Sequence, residues 1–196
     1  MKTLLWNIWK VGRWIVAAFV VLFIGLVLYR IPAVIEEDKT AEAVKYIQEQ
    51  KITLADVTGE RLPPRPDQTL ADATIEGIDA NKNGIRDDVE RAIFDRYPGD
   101  TNIKIRAAML QYAIGLQLQL TKVFNSETWK AAVQQSGRGY GCIYDNISGG
   151  ISVVLEKTNE IENLIRNTEG RIDQYNNLDK FRASFSVSDR ESCDLD

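Results

Sequence analysis

Thr101-Asn-Ile-Lys-Ile-Arg-Ala-Ala-Met-Leu-Gln-Tyr-Ala-Ile-Gly-Leu-Gln-Leu-Gln-Leu-Thr-Lys-Val-Phe124 sets the architecture of this chain. Ile105, Met109, Tyr112, Leu116 and Leu120 recur at three- and four-residue intervals, which places them on one face of a helix. Leu110 and Ile114 widen that face. A helix apolar over so broad an arc must be enclosed by neighbours. The stretch therefore predicts the central helix of a bundle, opened by Asp100 or Thr101.

The downstream residues extend the same pattern. Asn125 or Ser126 suits the cap of a following helix that turns Trp129, Ala132, Val133 and Ser136 inward. Ile147, Ile151, Val154, Thr158, Ile161, Ile165, Thr168, Ile172 and Tyr175 alternate by four and three, a heptad seam over four repeats. Such a seam packs inside a monomeric bundle or joins two copies in a homo-oligomer. Gly149, Gly150, Gly170 and the two seam threonines weaken a free-standing helix and favour the bundle. Asn176-Asn177 reads as a turn, and the polar tail from Ser184 as extended up to Cys193.

Ser136-Gly-Arg-Gly-Tyr-Gly-Cys142 invites a phosphate-cradle reading. No strand precedes it, the glycine spacing matches neither nucleotide fingerprint, and no Lys-Ser/Thr follows. Close helix packing or a helix break accounts for the glycines instead.

Upstream stands Asp79-Ala-Asn-Lys-Asn-Gly-Ile-Arg-Asp-Asp-Val-Glu90. Oxygen-bearing side chains fall at alternate positions 1, 3, 5 and 9, a glycine at 6 and a glutamate at 12. Calcium is a hard cation that takes six to eight oxygens, and this spacing supplies them. Asp79, Asn81 and Asn83 would each give one oxygen and Ile85 its backbone carbonyl. Asp87 would bind directly or through water, and Glu90 would close the site with both carboxylate oxygens. Gly84 permits the sharp turn. An exit helix carries Glu90 with Val89, Ala92, Ile93 and Phe94 on one face, and Pro98-Gly99 ends it.

The stretch resembles an EF-hand loop, with two departures. Position 8 is Arg86, where paired EF-hand loops carry an apolar residue, and the entering segment Thr69 to Ile78 is short and holds Gly77. It is closer to the solitary calcium loops of dockerin modules and thrombospondin type 3 repeats. Similar stretches occur in exported proteins of Gram-negative bacteria. The resemblance implies one Ca2+ and no activity. Only Asp79, Asp87 and Glu90 are charged among the ligands, which places the expected affinity near the extracellular range of ~10^-4 to 10^-3 M. There is no second loop and no Met-rich groove, so a structural role is expected for the metal rather than a switch.

Trp14 to Tyr29 is an uncharged, largely aliphatic run of sixteen residues. As a helix it spans ~24 Å, against a hydrocarbon core of ~30 Å. Arg13 and Arg30 bracket it and extend its reach, and Trp6, Trp9, Trp14 and Tyr29 suit the interfaces. Lys2, Lys10 and Arg13 lie before the span and favour the cytoplasmic side. A cleaved signal peptide needs small residues at its cut site, whereas Arg30-Ile31-Pro32-Ala33 offers bulky Ile31. No cysteine follows for lipoprotein processing. The expectation is a single-pass signal anchor in a bacterial inner membrane, N-terminus cytoplasmic, with the main domain in the periplasm.

The charge balance fits that placement. Lys2, Lys10, Arg13 and Arg30 account for four of the 24 basic residues, so 20 basic against 28 acidic residues leave −8 beyond residue 31. Such a domain is a poor nucleic-acid binder. Cys142 and Cys193 would pair in an oxidising compartment, a closure worth ~3–4 kcal/mol in the chain-entropy model. Histidine is absent, which removes the commonest general base, the triad arrangement and the usual zinc ligand.

The expected organisation is mainly α. Residues 1–31 form a cytoplasmic tip and transmembrane signal anchor, and 32–58 a juxtamembrane helix or stalk capped by Thr40, with Lys51 to Val57 an extended piece. Residues 59–78 form a linker holding Pro63, Pro64 and Pro66 that serves as a semi-rigid spacer or a partner's ligand. Residues 79–196 form the calcium loop and a small helical bundle. The function expected is a non-catalytic interaction or scaffold module with a protein partner in the cell envelope. The alternative is a periplasmic hydrolase using paired carboxylates.

Overall fold

A computed structural model describes residues 2–186 and 190–195, with side chains from residue 12 onward. The side chains of Lys2, Trp6, Trp9 and Lys10, to which membrane roles were assigned above, lie outside it. Contacts divide the chain into residues 1–42 and 43–196.

The first unit is helix α1, which runs Lys2–Glu49 and so continues into the second. Every residue from Gly12 to Lys39 is exposed, including Trp14, Phe19, Phe23 and Leu28. The helix is long and apolar enough to cross a membrane. Pro32 sits inside it. Thr40, expected as a cap, is also internal. Its hydroxyl donates to the Glu36 carbonyl at 2.8 Å, the back-bond available to a threonine within a helix.

The second unit is helical throughout, with no strand among the described residues. After the end of α1 come α2 Leu54–Thr58, α3 Gln68–Ala71, α4 Asp87–Arg96, α5 Ile103–Lys122, α6 Ser126–Asn146, α7 Ile151–Ile165 and α8 Glu169–Asn177. Two 3-10 turns, Asp100–Asn102 and Leu178–Phe181, complete it. Lys51 to Val57 is not extended. Thr53 and Asp56 cap each other's backbone amides and start α2.

Helix α5 is central, as its composition demanded. Every residue from Arg106 to Leu120 is buried, polar ones included. Most of those polar groups are partnered: Arg106 donates to the carbonyls of Val57 and Tyr97, Gln119 to Ser136 Oγ and Gln117 Nε2 to the Glu76 carbonyl, while Gln117 Oε1 is buried without a partner. Asn125 caps α6 through a reciprocal pair with Thr128. The glycines of 136–142 do not break α6. A Cβ on Gly139 would lie 2.5 Å from Tyr112 Cα, and one on Gly115 2.4 Å from Ser136 Cα. The two antiparallel backbones therefore touch, and only glycine allows it. This crossing is the main seam of the bundle.

The heptad run is split. Val154, Thr158, Ile161 and Ile165 are buried on α7, but the helix ends at Ile165 and Thr168 starts α8 by accepting from the Arg171 amide. Ile151 and Ile172, near the two ends of the run, are about half exposed. Thr168 has a side-chain oxygen that competes for backbone amides, which is why the period does not carry through it. Asn176-Asn177 ends α8 and leads into the second 3-10 turn.

The proline-rich segment is not a free spacer. Pro63 is buried and its carbonyl accepts from Arg91 Nε. Arg65 pairs with Asp95 at 2.6 Å, and Asp67 caps α3. These contacts lay the segment against α4. Cys142 and Cys193 form a disulfide, as expected.

Candidate metal centre

The segment 79–90 folds as a tight bend running into the first turn of α4. Asp79 accepts the Asn83 amide on Oδ1 at 3.1 Å and the Gly84 amide on Oδ2 at 2.9 Å. Asn81 Oδ1 accepts from the Asn83 amide and Asn83 Oδ1 from the Ile85 amide. Lys82 and Gly84 take the left-handed backbone conformation, at φ 58° and 85°. These bonds are local to Asp and Asn side chains, so the acidic and amide residues at positions 1, 3 and 5 shape the bend themselves. Each bonded oxygen keeps a second lone pair.

Asp87 and Glu90 close the bend from α4. Asp87 Oδ1 accepts from the Ala80 amide at 3.0 Å while its own amide donates to the Ile78 carbonyl. Glu90 Oε2 accepts from Asn81 Nδ2 at 3.0 Å. Asn81 also exchanges two bonds with the backbone and side chain of Arg61. The structure thus joins Asn81 directly to Glu90, and Asp79 and Asp87 to the backbone between them. The Ile85 side chain is fully buried in the core and pins the bend to the bundle.

The electrostatics are dominated by burial of the two carboxylates, only partly offset for Asp87 by the Ala80 amide and the Arg91 charge. Glu90 is 0% exposed and Asp87 1%. Burial pushes the Glu90 carboxyl up to about 7, with repulsion from Asp56 and Asp87 adding to it and the Asn81 and Asn83 amides opposing it. Burial also raises Asp87, which feels Asp79 and Asp88 in turn. Glu90 Oε1 and Asn83 Nδ2 are buried without a hydrogen bond of normal length, although the Asn83 amide lies near enough to favour the ionised carboxylate. Among the described residues, no three Asp, Glu, Cys or His side chains converge into a metal-holding group by themselves. A site here has to draw on the Asn oxygens and a backbone carbonyl, as the sequence pattern supposes.

Comparison with protein-family models, with curated proteins and with solved structures finds no match.

The residues present fit a hard divalent cation. An orphaned carboxylate oxygen, two desolvated carboxylates and neutral amide oxygens are the donor chemistry calcium takes, and burying such carboxylates without a cation is costly. Asp79, Asn81, Asn83, Ile85, Asp87 and Glu90 would hold it. The ion would supply positive charge and would fix the bend.

A pH dependence follows. The folded Glu90 value lies above the unfolded 4.5, so in calcium-free protein the neutral form is favoured and the penalty grows as pH rises from about 4.5 through about 7. Calcium needs the ionised form and competes with the proton below about 7. The rise in melting temperature on adding calcium should therefore be large at pH 8 and small at pH 5.5. An increment equal at the two pH values would contradict this account.

Sequence reading missed two arginines that mount the loop. Arg86 is fully buried and forms a fork with Asp88, at 2.9 and 2.6 Å. It also donates to the carbonyls of Leu164 and Ile165 and to Asn167 Oδ1. Those carbonyls lie in the last turn of α7, where a cation is favoured. Arg171 is equally buried and donates to the carbonyls of Ala71, Thr74 and Ile75 and to Asp72 and Asn167. The entering segment and the loop are thereby bolted to the α7–α8 junction. The signal in the sequence was the charged residue at position 8: with no second loop to pair with, Arg86 faces the bundle.

Proposed function

We propose that the chain is a calcium-binding protein anchored in a bacterial inner membrane, with a non-catalytic interaction or scaffold domain in the periplasm. The observation that carries this is the fully buried Glu90, whose Oε1 makes no hydrogen bond of normal length and whose neighbours are Asp87, Asn81 and Asn83. The EF-hand-like and thrombospondin type 3-like spacing of 79–90 supports the identity of the ion. Calcium acts as a structural element, because the loop is bonded on both sides into the bundle. At ~1 mM calcium and the affinity expected above, binding stabilises the fold by ~0.4–1.4 kcal/mol.

The apolar helix supports the anchor, and the excess of basic residues before it supports a cytoplasmic N-terminus. The Cys142–Cys193 bond suits an oxidising compartment. Ile151 and Leu155, one turn apart on α7 and both about half exposed, offer apolar surface to a partner.

Protease added to intact spheroplasts tests the placement. It should digest a C-terminal tag while an N-terminal tag stays protected. Protection of the C-terminal tag, with digestion only after lysis, would overturn the periplasmic assignment.

A further inference from the structure

The stretch 190–195 is held by more than its disulfide. Gln111, buried on α5, brackets Cys193: its Nε2 donates to the Ser192 carbonyl at 2.6 Å and its Oε1 accepts from the Asp194 amide at 2.9 Å. Arg138 on α6 donates to the Glu191 carbonyl at 2.8 Å and pairs with Asp194 Oδ1 at 2.7 Å. That ion pair is almost wholly buried, with side chains 6% and 1% exposed. The second Asp194 oxygen accepts from the Ile52 amide, and Arg190 donates to the Gln48 carbonyl. Every one of these contacts exists without a sulfur atom. Both oxygens of Asp194 and both ends of the Gln111 amide are used, which is the satisfied polar network that rigidifies a site.

We infer that this strap docks through Gln111, Arg138 and Asp194 on its own account, and that docking presents Cys193 to Cys142 for oxidation by an external disulfide. Gln111, Arg138 and Asp194 are positioning residues for that step. Cys193 is half-buried, whereas Cys142 is 2% exposed. The Cys193 thiolate therefore attacks the external disulfide first. A mixed disulfide forms on Cys193 and one external thiol leaves. The Cys142 thiolate then attacks the Cys193 sulfur, and the second external thiol leaves. Two cysteine thiols are oxidised, one external disulfide is reduced by two electrons, and the two protons depart with the two released thiols. Asn146 Nδ2 lies 3.2 Å from Cys193 Sγ and 3.6 Å from Cys142 Sγ, placed to donate to either thiolate. Noncovalent docking raises the effective concentration of one thiol at the other, so it also protects the bond from reduction. The closed strap holds residues 48–52 against α5 and α6. None of this depends on calcium.

The test uses the full chain in detergent. In the Cys142→Ser/Cys193→Ser double variant, hydrogen exchange at the Asp194 amide should stay as slow as in the oxidised wild type, within about tenfold. In glutathione buffers, Gln111→Ala and Asp194→Ala should each lower the equilibrium constant for disulfide formation by about tenfold, one well-placed hydrogen bond's worth. Asp194 lies on the strap, so Asp194→Ala keeps the test valid should Gln111→Ala fail to fold. Oxidised glutathione should modify Cys193 in Cys142→Ser readily and Cys142 in Cys193→Ser poorly. An unprotected Asp194 amide in the double variant would overturn the inference. So would unchanged equilibrium constants in the two alanine variants, and faster modification of Cys142 would overturn the order of attack.

Discussion

Arg86→Leu destabilises the domain by ~3–5 kcal/mol, the cost of breaking a buried pair from one side. The guanidinium is fully buried and serves four acceptors at once: the Asp88 carboxylate, the Leu164 and Ile165 carbonyls and Asn167. Leucine fills part of the volume and satisfies none of them. Two carbonyls in the last turn of α7 lose a donor, and each buried unpaired group costs ~1–3 kcal/mol. Asp88, 14% exposed on its side chain, loses its partner as well. Arg86→Lys restores the charge without the fork and should recover only part of the loss. Denaturant unfolding measures both. A change below 1 kcal/mol for Arg86→Leu would show that the loop is not bolted to the α7–α8 junction in solution.

Glu90→Gln has the opposite sign in the absence of calcium. At pH 8 the native carboxylate is ionised against a burial that holds its pKa near 7, above the unfolded 4.5. That displacement corresponds to ~3 kcal/mol of penalty. Glutamine keeps the shape and can still accept from Asn81, and it carries no charge. The calcium-free variant should therefore be more stable than calcium-free wild type at pH 8, by ~1–3 kcal/mol once the new amide's own unpaired hydrogens are allowed for. At pH 3 this electrostatic advantage should vanish, because the wild-type carboxyl is then neutral in both states. The variant should also lose its stabilisation by calcium, so calcium helps the wild type while the substitution replaces that help. A variant less stable than wild type at pH 8 in chelator would show that Glu90 is not a stranded charge.

The periodic parts of the fold were legible and the polar joints were not. Helix α5 was readable because Ile105 to Leu120 repeat at helical spacing, and Asn125 because a capping side chain announces a helix start. The glycines at 115 and 139 were legible only as punctuation; their role in letting two backbones meet needs both helices in place. The seam of 147–175 over-reached because Thr168 reads equally well as a seam residue and as a cap, and the cap won. Pro63 looked like part of a spacer, since nothing in a proline reveals that its carbonyl will be claimed by Arg91. For the candidate site, the bend, the position of Gly84 and the proximity of Asn81 to Glu90 follow the residue pattern closely. The pattern could not show that Glu90 and Asp87 are desolvated, because burial comes from Ile85, Val89 and Ile93 entering the same core. Nor could it show Arg171, which reaches the entering segment from about a hundred residues away.

A calorimetric titration of calcium into the detergent-solubilised chain at pH 8 decides whether the oxygens of residues 79–90 hold one calcium ion. Wild type should give a saturable single-site isotherm at ~10^-4 to 10^-3 M, and Glu90→Gln should give none while keeping its helical circular dichroism. Folded wild type that takes up no calcium, or a Glu90→Gln isotherm that matches the wild type, would contradict the account.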